Sequence, residues 1–196
     1  MIIYFDTETS GLRPGQICQL SYVMQSGDQL SARNFFFTVD QVEYSAFLVH
    51  GFSVEKLRVF SGGKRFKDYA EQIEKDFLSA DLVVAHNISF DAMFMSAEFE
   101  RINKQFCVKD KFCSMKNSTP LCKLPRSSGQ GYKYPKLSEL CAFFDIDDIE
   151  IQNATERIFG SKTGFHDARF DTTALLLAVN KGMSDRKVYQ EILNCL

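Results

Sequence analysis

The amino-acid sequence predicts an α/β fold with a central mixed five-stranded sheet flanked by helices. Near the N-terminus, short apolar or alternating segments predict three strands that follow one another closely, as in an antiparallel meander. Later, two short apolar segments are separated by a helical pattern. A strand, a helix and a second strand in this order form a right-handed parallel crossover, so the sheet is expected to be mixed.

The first three strands are predicted from the apolar run at 2–5, the alternation at 16–25 and the run at 30–39. Gly27-Asp28 supplies the turn between the second and third strands. Short helices are expected at 41–50 and 53–59, and the spacing of apolar residues predicts an amphipathic helix over 64–79.

The second half of the chain begins with a fourth strand at 82–85, followed by a helix that Asn87 or Ser89 could cap and that extends to about 103. A fifth strand is expected at 112–115. Three of the four prolines lie within 117–136, which predicts a long loop. Further helices are predicted at 136–144, 166–181 and 184–196. We expect one domain over 1–196, with its core in 1–181.

The composition is that of a globular protein, with 45% hydrophobic and 24% charged residues. No apolar run approaches 18 residues, so a cytoplasmic protein without a membrane segment is expected. The six cysteines include no Cys-x-x-Cys pair, which favours free and mostly buried thiols. A zinc site from Cys107, Cys113 and Cys122 is an alternative, although their spacing fits no common zinc pattern.

The formal net charge of −2 hides a basic segment. Residues 101–136 contain nine Lys or Arg and a single acid, Asp110. Such a segment could steer a phosphate chain toward a groove, or it could be a solvated surface without a function.

Two acids follow the first predicted strand. Side chains alternate along a strand, so Asp6 and Glu8 project from the same side. Crowded carboxylates repel one another unless protons or cations intervene, and oxygen ligands favour Mg²⁺ or Mn²⁺. An exposed acidic turn is the simpler alternative. Asp91 follows the fourth strand, and if the first and fourth strands are parallel neighbours, its carboxylate converges with that of Asp6.

A third polar segment contains His166 and Asp171, five residues apart at a predicted helix start. Together, Asp6-x-Glu8, Asn87-x-x-Phe90-Asp91 and His166-x-x-x-x-Asp171 resemble the three motifs of the DnaQ-like 3′–5′ exonucleases. The His in the third motif matches the DEDDh subgroup. The resemblance covers residues 1–181 and implies the RNase H-like fold.

The resemblance implies that Asp6, Glu8, Asp91 and Asp171 hold two Mg²⁺ or Mn²⁺ ions, with Asp6 bridging both. It also implies that His166 is the general base that deprotonates the attacking water. Each residue has a simpler interpretation. Asp91 could favour a helix dipole, His166 could be a surface residue, and Asp171 could be an ordinary exposed carboxylate.

The resemblance further implies a pocket for the terminal nucleotide. The residues expected to line it are Thr9, Leu12, His50, Asn87 and Phe90. Leu12 and Phe90 could instead be core residues, and His50 could cap a helix. His86 is expected to be a hydrogen-bonded histidine at a strand end rather than a ligand.

The predicted activity is removal of nucleotides from the 3′ end of single-stranded or frayed DNA, with release of 5′-mononucleotides. A 3′–5′ exoribonuclease is the alternative within this class, since no motif reads the 2′-hydroxyl. A catalytically silent nucleic-acid-binding module is the alternative of another class. The expected partner is a nucleic acid 3′ end, and a polymerase or a second copy of the chain are further candidates.

Overall fold

The computed structural model describes residues 1–185, 188, 189 and 192. Its strands are β1 (Ile2–Thr9), β2 (Ile17–Ser26), β3 (Gln29–Phe36), β4 (Leu82–Ala85) and β5 (Lys111–Cys113). They form one sheet in the spatial order β3-β2-β1-β4-β5. β1 is antiparallel to β2 and parallel to β4, and β4 is parallel to β5. The predicted mixed five-stranded sheet is therefore confirmed.

The described residues also form eight α-helices. They are α1 (Tyr44–His50), α2 (Val54–Ser61), α3 (Ala70–Ser79), α4 (Ile88–Glu100), α5 (Ser114–Cys122), α6 (Leu137–Phe143), α7 (Asp148–Phe159) and α8 (Ala168–Asp185).

The alternation of side chains along β1 sorts its residues into two hydrophobic clusters. Ile2 and Tyr4 pack into a cluster with α6, α7 and α8. Ile3 and Phe5 pack into a second cluster with α3 and α4. Both faces of the central strand are therefore buried, as is typical of α/β sheets with helices on both sides.

Phenylalanine rings form much of the cluster beneath α3 and α4. Phe77 lies edge-on to Phe5 and Tyr22, with ring centroids 5.2 Å and 5.3 Å apart. Phe106 contacts the same ring at 5.4 Å. Edge-to-face pairs of this kind contribute about 0.5–1.5 kcal/mol beyond the burial of their area. The many phenylalanines therefore have a structural explanation.

Two of the predicted elements have different bounds. β1 continues through Thr9, so Asp6 and Glu8 lie within the strand rather than after it. The helix expected over 64–79 begins at Ala70. A separate 3-10 turn occupies Phe66–Asp68, where the Asp68 carboxylate accepts a hydrogen bond from the backbone N–H of Arg65 at 2.7 Å.

The predicted loop at 117–136 is wrong in its first part, because α5 continues through Cys122 and contains Pro120. Side chains of this helix bond to carbonyls one turn back: Ser118 Oγ donates to Ser114 O at 2.5 Å and Thr119 Oγ1 to Met115 O at 2.9 Å. The missing N–H of Pro120 concerns the carbonyl of Lys116, one residue further along the helix. The fifth strand correspondingly ends at Cys113, not at 115.

Helix α7 was not predicted, although its sequence carries start and stop signals. The Asp147 side chain accepts a hydrogen bond from the backbone N–H of Glu150 at 2.7 Å. Ile151 and Ala154 are buried at helical spacing, and Gly160 ends the helix in the left-handed conformation. The many acids of this segment obscured that pattern.

Helix α8 begins at Ala168, two residues later than predicted, so His166 and Asp167 precede it. Ser184 lies within α8 and does not begin a new helix. Of the helix predicted at 184–196, residues 186, 187, 190, 191 and 193–196 lie outside the described residues. No helix in the described part of the chain is long and apolar enough to span a bilayer. Cys18, Cys113 and Cys141 are buried, as predicted.

Candidate active site

Acidic side chains near the end of β1 lie on the face of the sheet that α8 covers. Asp6 and Glu8 continue the alternation of Ile2 and Tyr4, so they project toward α8. Glu8 is buried and Asp6 is partly exposed. Two carboxylates are thus held by a strand whose preceding residues are fixed in the core.

Thr7 projects from the opposite side of β1 and fixes the third acid. Asp91 lies in the first turn of α4 and is buried. Its Oδ1 accepts hydrogen bonds from the backbone N–H of Thr7 at 3.2 Å and from the Thr7 hydroxyl at 2.8 Å. The parallel pairing of β1 with β4 brings the start of α4 beside the end of β1, as expected.

The last two predicted residues come from α8 and the segment before it. The backbone N–H of His166 donates to Asp171 Oδ2 at 3.0 Å. His166 adopts a left-handed backbone conformation with φ 64° and its side chain is exposed, whereas Asp171 is buried. Helix α8 thus provides a fixed acid, and the turn before it presents a histidine to solvent.

Three of these side chains have the geometry of a metal site. Glu8, His166 and Asp171 each offer one ligand atom, and these atoms all lie within 4.8 Å of one another. Asp6 and Asp91 are outside this group, but Asp91 raises the pKa values of Asp6 and Glu8, and Asp171 and Glu8 also raise the pKa of Asp6. All four predicted acids are therefore close enough to interact electrostatically, and Asp91 already has one oxygen engaged by Thr7.

The carboxyl groups hold protons more tightly than isolated acids do. Desolvation, followed by the charges of Asp171, Asp91 and Glu8, raises the pKa of Asp6 well above its usual value. Desolvation also raises the pKa of Asp91 and that of Asp171 to about 7. Such a cluster is stabilised by protons or by divalent cations, and its carboxylate oxygens suit Mg²⁺ or Mn²⁺. The donor set therefore fits a divalent metal.

An apolar cavity of about 280 Å³ adjoins Glu8. Thr9, Leu12, His50 and Phe90, four of the five residues predicted to bind substrate, line it. Asn87, which is among the described residues, does not line this cavity; it adopts a left-handed conformation with φ 77° at the start of α4. Its side chain makes no capping hydrogen bond, so neither prediction for Asn87 is supported by its placement.

His50 is a fixed part of the cavity wall. Its Nδ1 accepts a hydrogen bond from the backbone N–H of Phe52 at 3.0 Å, so Nε2 carries the proton and donates to Thr9 O at 3.1 Å. Burial lowers the pKa of His50, which favours this neutral form. The residue therefore both ends α1 and supports the strand that carries Glu8.

Leu12 is 75% exposed, so it is not a core residue. Its loop is closed at the base, where Ser10 N–H donates to Gln16 O and Gln16 N–H donates to Ser10 Oγ, both at 2.9 Å. A Cβ atom at Gly11 would meet the carboxylate of Glu43, so a side chain there would require the exposed Glu43 side chain to move. The loop therefore holds an exposed leucine at the mouth of the cavity.

A second cavity, here called the polar cleft, has a volume of about 450 Å³. Its lining includes Asp6, His86, Lys136, His166 and Asp171. His86 Nε2 donates to Pro135 O at 2.9 Å, and Nδ1 hydrogen-bonds with Ser114 Oγ at 2.9 Å. Burial lowers the pKa of His86. The expectation of a hydrogen-bonded strand-end histidine is thus confirmed.

Sequence reasoning missed two residues, Gln19 and Asp167. Gln19 is fully buried on β2, directly opposite Glu8. Its Nε2 donates to Asp167 Oδ1 at 3.0 Å, and its Oε1 accepts from the backbone N–H of Ala168 at 3.1 Å. The turn that carries His166 is therefore fastened to β2, and only the hairpin register could have revealed this.

Asp167 is also paired with Arg169 by two hydrogen bonds of 2.9 Å and 2.6 Å. Its charge raises the pKa values of Asp6, Glu8 and Asp171. Asp167 therefore acts electrostatically on the acidic cluster. In the sequence, its position next to His166 could have indicated this role.

This geometry agrees with comparisons to known proteins. The exonuclease family model RNase_T matches residues 3–179. The chain belongs to this exonuclease family. The DnaQ-like, RNase H-like assignment made from the three motifs is thus confirmed, and with it the class of enzyme.

Relatives of this exonuclease domain include subunit epsilon of DNA polymerase III. The Rickettsia felis protein is 28% identical over 152 residues, which cover 74% of this chain and 63% of the relative. The Salmonella typhimurium protein is 30% identical over 156 residues, which cover 74% of this chain and 61% of the relative. The chain therefore spans less than two thirds of the length of these relatives.

Solved structures support the same fold. The metal-free form of the E. coli ExoI–ssDNA complex matches with a TM-score of 0.71 and 14% identity, over 98% of this chain and 42% of that chain. The zinc-bound form of the same complex matches with a TM-score of 0.68 and 15% identity.

Proposed function

We propose that this exonuclease domain removes nucleotides from the 3′ end of single-stranded or frayed DNA and releases 5′-mononucleotides. The main observation is the position of the apolar cavity directly beside the carboxylates. Thr9, Leu12, His50 and Phe90 surround a space of about 280 Å³, which suits one terminal nucleotide. Relatives named as a DNA polymerase subunit and a neighbour named as an ssDNA complex support DNA as the substrate.

Asp6, Glu8, Asp91 and Asp171 would hold two Mg²⁺ or Mn²⁺ ions. When bound, such ions activate water and offset the negative charge of the reacting phosphate. Phe90 and Leu12 hold the terminal base, since aromatic stacking on a base contributes about 1–3 kcal/mol.

His166 takes a proton from the attacking water through a ring nitrogen. The water oxygen bonds to phosphorus and the bond from phosphorus to the 3′ oxygen of the preceding nucleotide breaks. That oxygen acquires a proton from solvent and becomes the new 3′-hydroxyl. His166 is exposed, so it can return its proton to solvent before the next cycle.

We also propose a partner and a cellular location for this protein. The relatives are named as subunit epsilon of DNA polymerase III, which supports association of this chain with a polymerase. We propose a cytoplasmic enzyme for which a polymerase is a candidate partner, and co-purification with a polymerase measures that association.

The decisive experiment is digestion of 5′-labelled DNA and RNA oligonucleotides, single- and double-stranded, with and without Mg²⁺ or Mn²⁺. We expect a ladder of single-nucleotide steps from the 3′ end of single-stranded DNA, only when a divalent ion is present. Asp6→Ala should abolish the ladder and retain the fold, whereas Asp28→Ala, in the exposed β2–β3 turn, should retain activity.

Three outcomes would contradict the proposal. Faster digestion of RNA than of DNA would make the enzyme an exoribonuclease. Shortening from the 5′ end would reverse the polarity. A folded protein that is inactive with both ions would be a silent binding module.

A further inference from the structure

The segment at 123–136, here called the cationic loop, joins α5 to α6 beside the polar cleft. It is an ordered hairpin-like structure with a bridge between Pro125 and Tyr132. Lys133 N–H donates to Leu124 O at 2.9 Å, and the Arg126 side chain donates through Nε to Tyr132 O at 2.9 Å. Its exposed groups are therefore held in a defined arrangement.

The chemistry of this loop is that of a surface for single-stranded nucleic acid. It contains four cations and no acid, and three of the cations remain for a ligand because Lys133 is paired with Glu139 of α6. Two exposed tyrosines lie among them. Tyr132 is 43% exposed and Tyr134 is 55% exposed. A cavity of about 710 Å³ opens along the loop between Arg126 and Tyr134. Cations that follow a phosphate chain, interleaved with rings on which bases stack, are typical of proteins that bind single strands.

The loop is fastened to the candidate active site. His86 follows β4, five residues before Asp91, and its Nε2 donates to Pro135 O at 2.9 Å. The next residue, Lys136, lines the polar cleft together with Asp6, His166 and Asp171. Among the described residues that line the polar cleft and the apolar cavity, Lys136 is the only Lys or Arg.

The path of a substrate follows from these positions. If the apolar cavity holds the terminal nucleotide and the carboxylates hold the scissile phosphate, the preceding nucleotides must leave the site on another side. The polar cleft lies beside the same carboxylates, and Lys136, the last residue of the cationic loop, lines it. A polyanionic strand is attracted to the side where cations are exposed.

We infer that the cationic loop binds the single-stranded DNA on the 5′ side of the scissile phosphate. Lys136 contacts a backbone phosphate in the polar cleft, and Tyr132 and Tyr134 stack on bases further along the strand. This inference rests on the proposed function, because it takes the direction of the strand from the terminal-nucleotide pocket.

The test compares a thymidine dinucleotide with a 15-mer of thymidine, since only the longer strand can reach the loop tip. We expect the wild-type protein to cleave the 15-mer with a much higher kcat/KM. Tyr132→Ala with Tyr134→Ala should lower kcat/KM for the 15-mer at least about fivefold and leave the dinucleotide within twofold. The matched control, Tyr132→Phe with Tyr134→Phe, keeps both rings and should retain the wild-type value.

A second measurement tests the charge of Lys136. Lys136→Gln should reduce the slope of log kcat/KM against log salt concentration for the 15-mer by about 0.7, the value for one phosphate contact on a single strand. Lys136→Arg should retain the slope. A change in folding alone would lower the rate without changing this salt dependence.

Failure of this inference is distinguishable from failure of the proposed function. If the wild-type protein cleaves neither substrate, the proposed function is wrong and so is the inference. If it cleaves both and the alanine pair lowers both equally, or lowers neither, only the role of the cationic loop is overturned. An unchanged salt slope in Lys136→Gln would remove Lys136 from that role.

Discussion

The two cavities beside the carboxylates differ in chemistry. The apolar cavity is bounded by Leu12, His50 and Phe90, and the described residues that line it include no Lys or Arg. The polar cleft is bounded by Lys136, two histidines and two of the acids. Under the proposed function, this difference implies a division of tasks, in which the apolar side would bind a base and the polar side would bind phosphate and transfer a proton. Changes on the polar side should therefore affect kcat, and changes on the apolar side should affect KM.

The largest expected effect comes from His166. His166→Gly removes the proposed general base and suits the left-handed backbone, so kcat should fall about 10²–10⁴-fold while KM changes little. The measurement is steady-state hydrolysis of single-stranded DNA. Because the site is exposed, added imidazole should restore part of the lost rate. A loss below threefold would contradict the role of base.

The next effect comes from Gln19, which touches the turn of His166 and not the substrate. Gln19→Leu leaves Asp167 and the Ala168 N–H without their partner, so kcat should fall about tenfold and stability by about 1–3 kcal/mol. Kinetics and urea unfolding measure the two changes. Gln25→Leu on the same strand is the control, and equal losses of kcat in the two variants would refute the positioning role.

A smaller effect, on KM, is expected from a substitution in the apolar cavity. Leu12→Ala should raise KM about fivefold with little change in kcat, because about 1 kcal/mol of contact with the terminal base is lost. Val59→Ala is a matched control, since Val59 is 77% exposed and lies outside the cavity. A decrease in kcat with unchanged KM would contradict the division of tasks between the two cavities.

The last expected effect is on stability in the absence of metal, not on activity. The pKa values of Asp91 and Asp171 are raised to about 7, whereas unfolded aspartates titrate near 3.9. The folded state therefore binds more protons between about pH 4 and pH 7, so its free energy of unfolding should decrease as pH rises through that window.

Thermal unfolding in a chelator at several pH values measures this change. Asp171→Asn should flatten the profile, and Mg²⁺ should raise Tm most at the upper end of the window. Asp28→Asn, in an exposed turn, should leave the profile unchanged. A stability that rises with pH in the metal-free protein would contradict the raised pKa values.

The sequence predicted those parts of the molecule that depend on local pattern. Strand periodicity and the motifs placed Asp6 and Glu8 on the same side of β1 and Asp91 beside this strand, although the two acids of β1 lie within the strand rather than after it. The contact of Gln19 with the turn of His166 could not be predicted, because it depends on which residue of β2 lies opposite Glu8. Local pattern also failed in α5, where Pro120 suggested a loop but the helix continues through Cys122.

The alternation of side chains along β1 limits the insertions and deletions that this strand can accept. The residues that anchor β1 in the core and those that approach the reacting phosphate share one strand, so the insertion or deletion of a single residue would exchange their sides. Asp6 and Glu8 would then point into the cluster of aromatic rings beneath α3 and α4. Surface loops such as 10–16 and 123–136 can therefore change in length without this exchange, whereas β1 cannot.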